Sequence, residues 1–279
     1  VLSAEGSAGI TTAAAVLWKP MRSFWRKLGM GLHLGGMVLK AVILAGGTGT
    51  RLRPLTTYLN KHMLPVGKYP MIVYAIRKLK EAGITDIELV TGRSSAGLFT
   101  QYLGSGRDEG VSLTYRIQEE AGGIAEALKL AEPFVGASGK FIMLLGDNLY
   151  EDSLAPHIEA YRRQAAGAMV LLKQVPDPHR YGVPRFSQDG KAIESIDEKP
   201  QQPASDYCVT GIYMYDAAVF SYIDEIKPSG RGELEITDVN NAYASRGLLR
   251  YRTLNGWWTD AGTFDSLHEA AGRLKEESE

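Results

Sequence analysis

A glycine-rich run, Gly46-Gly47-Thr48-Gly49-Thr50, ends in Arg51 and follows directly on the apolar stretch Val38 to Leu44. Glycines in that position let the backbone approach a ligand closely, and successive free N–H groups can cradle phosphate oxygens. A guanidinium beside them suits a polyphosphate. The run is not a Walker loop, since no Gly-Lys-Ser/Thr follows. Nor is it the dinucleotide fingerprint, because Leu52 stands where the third glycine belongs. Taken alone, a glycine turn after a strand is as readily structural as functional; Arg51 favours the phosphate reading. Ten residues on, Asn60-Lys61-His62-Met63-Leu64-Pro65 places a second cation, Lys61, in the same neighbourhood.

Two carboxylates complete this group. Asp147 lies in Gly146-Asp147-Asn148, immediately after the apolar run Phe141 to Leu145, and Asp260 lies in Trp257-Trp258-Thr259-Asp260-Ala261-Gly262-Thr263. A carboxylate at the carboxyl end of a central strand sits where ligands bind open α/β sheets. Each has a plainer reading, Asp147 as a turn acid and Asp260 as the cap of a final helix. Two carboxylates that share substrate phosphate oxygens suit Mg2+, which takes few protein ligands and keeps much of its water.

The elements that would carry these residues alternate. Val38 to Leu44 reads as a buried parallel strand, and Pro70 to Gly83 as a helix opened by proline and closed by glycine. Strands at 87–90, 113–118 and 141–145 are interleaved with helices at 96–103 and 124–130. This pattern predicts an α/β fold, Rossmann-like, with a mixed, mostly parallel central sheet flanked by helices. Beyond Asp147 a helix at 156–164 precedes strands at 169–174, 182–186, 193–198 and 209–215, expected as a mixed sheet laid over the first. A helix is read over 235–245.

The length of 279 residues allows one or two domains, and 44% hydrophobic with 23% charged residues is ordinary globular usage. One cysteine, Cys208, permits neither an intrachain disulfide nor a Cys-rich zinc module. A formal net charge of −1 argues against nucleic acid as the partner. Residues 1–36 carry Lys19, Arg22, Arg26 and Lys27 against Glu5, a net of +3, which leaves residues 37–279 at −4. Their apolar patch, Thr11 to Trp18, precedes the basic cluster instead of following it, and is too short for a membrane span. Residues 1–36 are therefore expected to be an extension outside the fold, with Met37 the natural start, no membrane association and a cytoplasmic location. Residues 37–279 are expected to form a single domain, with a nucleotide-binding part (37–150), a sugar-binding part (151–263) and a C-terminal helix (264–279).

Taken in order, eight fragments resemble the sugar-phosphate nucleotidyltransferases, most closely the short glucose-1-phosphate thymidylyltransferase family. They are residues 44–56, 60–66, Gln118 with Ala121-Gly122-Gly123-Ile124-Ala125-Glu126-Ala127, 145–148, 180–183, Glu198-Lys199-Pro200, 231–238 and 257–263. The resemblance implies transfer of dTMP from dTTP to glucose 1-phosphate with release of pyrophosphate, and Mg2+ held by Asp147 and Asp260. It implies that Gly46, Gly47, Thr48, Gly49, Thr50 and Arg51 hold the triphosphate, with Lys61 assisting, and that Gln118 and Gly123 meet the base. Asn148, Gly182, Glu198, Lys199, Val209 and Arg231 would face the sugar phosphate, with Lys199 on its phosphate. Arg231 has an equal alternative as a cap for the helix over 235–245. The family's homo-oligomers make a homo-oligomer the expectation here. Because little chain follows Thr263, the regulatory nucleotide site of the longer relatives is not expected, and a buried, inert thiol is the reading for Cys208. The alternatives are UTP or another hexose 1-phosphate in the same reaction, or a non-catalytic nucleotide-sugar sensor. A dinucleotide oxidoreductase is disfavoured by Leu52.

Overall fold

The strand beginning at Lys40 is apolar from Ala41 to its end, because both of its faces are covered. This strand, β1 (Lys40–Ala45), lies at the middle of the sheet, parallel to β4 (Asp86–Gly92) on one side and β6 (Lys140–Leu145) on the other. Ala41 and Ile43 point into one core with Ile72, Ile76 and Leu79, while Val42 and Leu44 point into the other with Ala125, Leu128 and Met143. That period-two division is why the run shows no polar alternation. Each fully buried Val, Leu or Ile contributes about 1.5–3 kcal/mol. The computed structural model describes residues 39–137 and 139–276. The expected extension at 1–36 lies outside them, and from residue 39 onward the chain is one compact unit.

Seven strands form the main sheet in the order β12, β8, β11, β6, β1, β4, β5, where β5 is Ser112–Gln118, β8 Ala168–Gln174, β11 Tyr207–Asp216 and β12 Leu249–Thr253. Strand β11 is antiparallel to both β6 and β8; the other pairings are parallel. The sheet is thus mixed and mostly parallel, as expected. One expectation is corrected: β8 and β11 do not form a second layer but, with β12 beyond them, extend the first sheet edge to edge. The separate piece is the antiparallel hairpin of β9 (Gly182–Phe186) and β10 (Ile193–Glu198). An apolar strand can pair sideways as well as stack, and the sequence pattern does not distinguish the two.

Helix α1 (Met71–Glu81) buries Met71, Ile72, Val73, Ala75, Ile76 and Leu79 and ends where Gly83 takes φ +79°, close to the predicted limits. Helices α2 (Ala96–Leu103), α3 (Ile124–Lys129), α4 (Glu132–Val135), α5 (Ala155–Arg163), α6 (Ala218–Glu225), α7 (Ile236–Ser245) and α8 (Phe264–Glu276) complete the layers. Helix α6 and strand β12 have no counterpart in the sequence reading. Two strand pairs also lack one: β2 (Pro65–Val66) with β3 (Tyr69–Pro70), and β7 (Asn148–Tyr150) with β13 (Trp258–Asp260). Two or three residues are too few for alternation to register. Among the described residues no helix is long and apolar enough to cross a membrane.

Candidate active site

The glycine loop leaves β1 at its carboxyl end and is clamped from below. Thr56 donates from its hydroxyl to the Gly49 carbonyl at 2.7 Å, and Asn60 donates from its side chain to the Ala45 carbonyl at 3.0 Å. Gly49 adopts φ +62°, and a methyl group there would lie 3.0 Å from both Lys61 Cβ and Thr56 Cγ2, so conformation and space both require glycine. A single 3₁₀ turn over Thr50–Leu52 buries Leu52 and turns Arg51 outward with 61% of its side chain exposed. Gly47, Thr48 and Thr50 are exposed, and Gly46 and Gly49 half-buried.

Asp147 and Asp260 are brought together by the short bridge between β7 and β13, in which Asp260 stands opposite Asn148 and the Ala261 N–H donates to the Asp147 carbonyl at 2.9 Å. Asn148 is buried at the centre of this arrangement. Its Oδ1 accepts from the Gly211 N–H and from Trp258 Nε1, each at 2.8 Å, and its Nδ2 donates to Asp147 Oδ1 at 3.1 Å. Asn148, expected to face the sugar phosphate, is thus also a clamp on Asp147. Gly211 is part of that clamp and was not singled out. The β11–β8 ladder is irregular between Val209 and Tyr213, and a methyl at Gly211 would lie 2.4 Å from Asn148 Nδ2. A glycine inside a strand pattern was the available signal.

The two carboxylates sit in opposite electrostatic situations. Asp147 Oδ2 is ion-paired with Lys61 Nζ, and both side chains are nearly closed off from solvent. Burial raises the Asp147 pKa, but the Lys61 charge, a contribution from His62 and the hydrogen bonds of Lys61 and Asn148 outweigh it and hold the carboxyl well below its usual range. Asp260 is raised, by burial first and then by the Asp147 charge. Its counterweights are Tyr181, whose hydroxyl donates to Oδ1 at 2.8 Å, Arg180 at 3.7 Å and Arg51 at 4.0 Å. Tyr181 packs edge-on against Trp258, so one aromatic contact orients both groups. His62 is fully buried beside Lys61, which together lower its pKa from 6.5 to about 3.

On the other side of the glycine loop, Gln118 ends β5 and is buried, its Nε2 donating to Glu126 Oε2 at 3.2 Å. Gly123, with φ +107°, precedes α3; a methyl there would meet the Leu234 carbonyl at 2.5 Å, so packing alone requires glycine. Of the sugar candidates, Gly182, Glu198 and Lys199 lie on or directly after the β9–β10 hairpin, Arg231 precedes α7, Val209 lies on β11 and Asn148 on β7. Glu198 Oε2 accepts from the Thr237 hydroxyl at 2.6 Å, and Oε1 pairs with Lys199 at 2.8 Å and lies 3.8 Å from Arg231. Burial raises the Glu198 pKa, yet the Lys199 and Thr237 hydrogen bonds and the two cations bring it below the ordinary value. Lys199 has φ +46°, an unusual state for a non-glycine residue, consistent with the irregular backbone expected before Pro200. A methyl on Gly182 would lie 3.7 Å from Glu198 Oε2. Arg231 does not cap α7 itself. It bonds Glu235, the residue preceding α7, at 2.8 Å while facing Glu198. Val209 is buried beside Cys208, whose thiol burial and the Asp260 charge push up to about 12, against a weaker opposing backbone contact.

A sequence profile of the nucleotidyl transferase family matches residues 40–277. The chain is 43% identical to glucose-1-phosphate thymidylyltransferase of Neisseria meningitidis over 84% of this chain and 81% of that one. It is 41% identical to the enzyme of the same name from Mycolicibacterium smegmatis, over the same shares. A Bacillus anthracis protein named as a glucose-1-phosphate thymidylyltransferase and crystallised with sucrose superposes with TM-score 0.81 at 53% identity, over 85% of this chain and 96% of that one. UDP-glucose pyrophosphorylase bound to UDP-glucose gives TM-score 0.77 at 27% identity, over 86% and 100%. With the fold and most of its length matched in this way, the chain belongs to the nucleotidyl transferase family.

Proposed function

We propose that the protein transfers dTMP from dTTP to α-D-glucose 1-phosphate, releasing pyrophosphate and giving dTDP-glucose. The observation that carries this reading is the convergence of Lys61 on Asp147 and of Arg51 on Asp260 at the lip of the glycine loop. Cations and carboxylates are thereby arranged around one point at the carboxyl ends of β1 and β6. The sugar phosphate oxygen attacks the α-phosphorus in line, so alignment and charge management are the task. Gly46 to Thr50 present N–H groups to the triphosphate, Arg51 and Lys61 offset charge as pyrophosphate departs, and Lys199 holds the sugar 1-phosphate. Glu198 and Gly182 face the hexose, with Val209 in the wall behind and Arg231 near Glu198.

A divalent metal fits the donor set. Asp147 and Asp260 offer only hard oxygen ligands, the nearby Cys208 thiol is held protonated, and among the described residues no group of three or more His, Cys, Asp or Glu side chains could hold a metal by itself. An incomplete, all-oxygen set suits Mg2+, which completes its shell with water and phosphate and would lower the repulsion between the two anionic substrates. A cytoplasmic location and a homo-oligomer belong to the same reading, as does the division of residues 37–263 into nucleotide and sugar parts.

A pyrophosphate-release assay crossing four nucleoside triphosphates with glucose, galactose, mannose and N-acetylglucosamine 1-phosphates tests this. Release should be fastest with dTTP and glucose 1-phosphate. UTP should follow within about 1–3 kcal/mol, the worth of a methyl pocket. No release from any pair would favour the sensor.

A further inference from the structure

Gln118 is held in one orientation by the hydrogen bond at one end of its carboxamide. Oε1 packs against the first glycine of the loop, so closely that a methyl on Gly46 would lie 2.6 Å from it. Nε2 donates to Glu126 Oε2 at 3.2 Å. An ionised carboxylate only accepts hydrogen bonds, so it must face the amide nitrogen. Turning the amide over would set Oε1 against Glu126, acceptor to acceptor, and leave a buried polar group without its partner. Glu126 reaches Gln118 because Gly122 is bare; a methyl there would lie 1.6 Å from Glu126 Oε2. The carboxylate is anchored on α3, whose first turn is bonded to the Leu234 carbonyl through the Ala125 N–H.

We propose that Glu126 is a positioning residue that fixes the Gln118 amide and thereby selects nucleotides whose base carries an imide edge, an N–H flanked by carbonyls, over cytosine. This rests on the reading of Gln118 as the base contact. An amide presenting its carbonyl to the ring N–H and its remaining N–H to a ring carbonyl matches thymine or uracil. Cytosine offers a ring nitrogen that accepts and an amine that donates, and so needs the reversed amide. Glu126 opposes that reversal. The device separates imide bases from cytosine and leaves thymine and uracil undistinguished.

The test compares kcat/KM for dTTP, UTP and dCTP in wild type, Glu126→Gln, Glu126→Lys and Gln118→Leu, with glucose 1-phosphate KM as the control. In Glu126→Gln the side-chain carbonyl still accepts, so the dTTP to dCTP ratio should stay near wild type. In Glu126→Lys a donor replaces the acceptor and favours the reversed amide. The ratio should fall about tenfold or more, mainly through nucleotide KM, with sugar KM unchanged. An unchanged ratio in Glu126→Lys, or an equal loss for all three nucleotides, overturns the proposal. If Gln118→Leu alone collapses the ratio, only the role of Glu126 fails. If Gln118→Leu leaves the ratio intact, the base reading of Gln118 fails with it.

Discussion

Asp147 and Glu198 are both carboxylates paired with a lysine, but the pairs differ in their access to water. Lys61 and Asp147 have side chains only 14% and 11% exposed, whereas Lys199 and Glu198 are 48% and 31% exposed. The first pair stands where two strands of the main sheet end, braced by Asn148, Gly211 and Trp258. The second stands at the end of a two-stranded hairpin, braced by Thr237 from α7. A closed pair keeps its geometry because breaking it strands a charge in a medium of low dielectric. An open pair can exchange its lysine for an arriving phosphate at little cost, because water screens both states. The proposed reacting end is thus rigid and the proposed sugar end exchangeable, on one continuous scaffold.

The sharpest way to break this comparison is to neutralise the two proposed metal carboxylates separately. Asp147→Asn and Asp260→Asn should each lower kcat by about 10²–10³-fold, comparable to the loss of one strong electrostatic partner. Their stabilities should part company. Asp147, held ionised by Lys61, loses its pair and should cost about 3–5 kcal/mol in denaturant unfolding. Asp260 is penalised by burial and by Asp147 when ionised, so its amide should be neutral or stabilising. Equal stability losses in the two variants would show that they are held alike, and near-normal turnover in either at saturating Mg2+ would remove it from the metal site.

A pH series probes the buried end more gently. His62 has its pKa lowered from 6.5 to about 3 in the folded state. Below pH 6.5 the unfolded chain binds a proton that the native protein refuses. Stability should therefore fall by about 1.4 kcal/mol per pH unit as pH drops through that window, beyond what other groups contribute. His62→Gln should lack this component; an identical pH dependence in the variant would contradict it.

The smallest effect belongs to the open pair. Glu198→Gln keeps the Thr237 hydrogen bond and removes only a partly screened charge. It should raise glucose 1-phosphate KM about tenfold or less, with kcat and melting temperature close to wild type. A large kcat loss would place Glu198 with Asp147 and not opposite it.

Most of the main sheet was readable from the chain, because β1 and β6 are continuous apolar runs after their opening lysines and α1 is bounded by proline and glycine. The weak points were short or mixed. The three-residue strands β7 and β13 carry no usable period, and α6 and β12 lie in stretches where no regular pattern was read. The site divided in the same way. Arg51, Lys61 and Asp147 stood out by residue type and position near a strand end or glycine turn, and Glu198 only through the family resemblance. Tyr181, Glu126, Thr237 and Gly211 did not, because each acts only through a neighbour distant in the chain.

Local chemistry along the chain was enough to place a glycine loop after a buried strand, a carboxylate after another and an irregular backbone at Lys199-Pro200, since these depend on steric preference and nearest neighbours. Three things required the folded molecule: that β8, β11 and β12 continue the first sheet, that a three-residue bridge brings Asp260 to Asp147, and that two aspartates both penalised by burial end with pKa values shifted in opposite directions, because Lys61 outweighs that penalty at Asp147 and the Asp147 charge adds to it at Asp260. Pairing partners and local dielectric are properties of contacts between distant segments, and they exist only once those segments have packed.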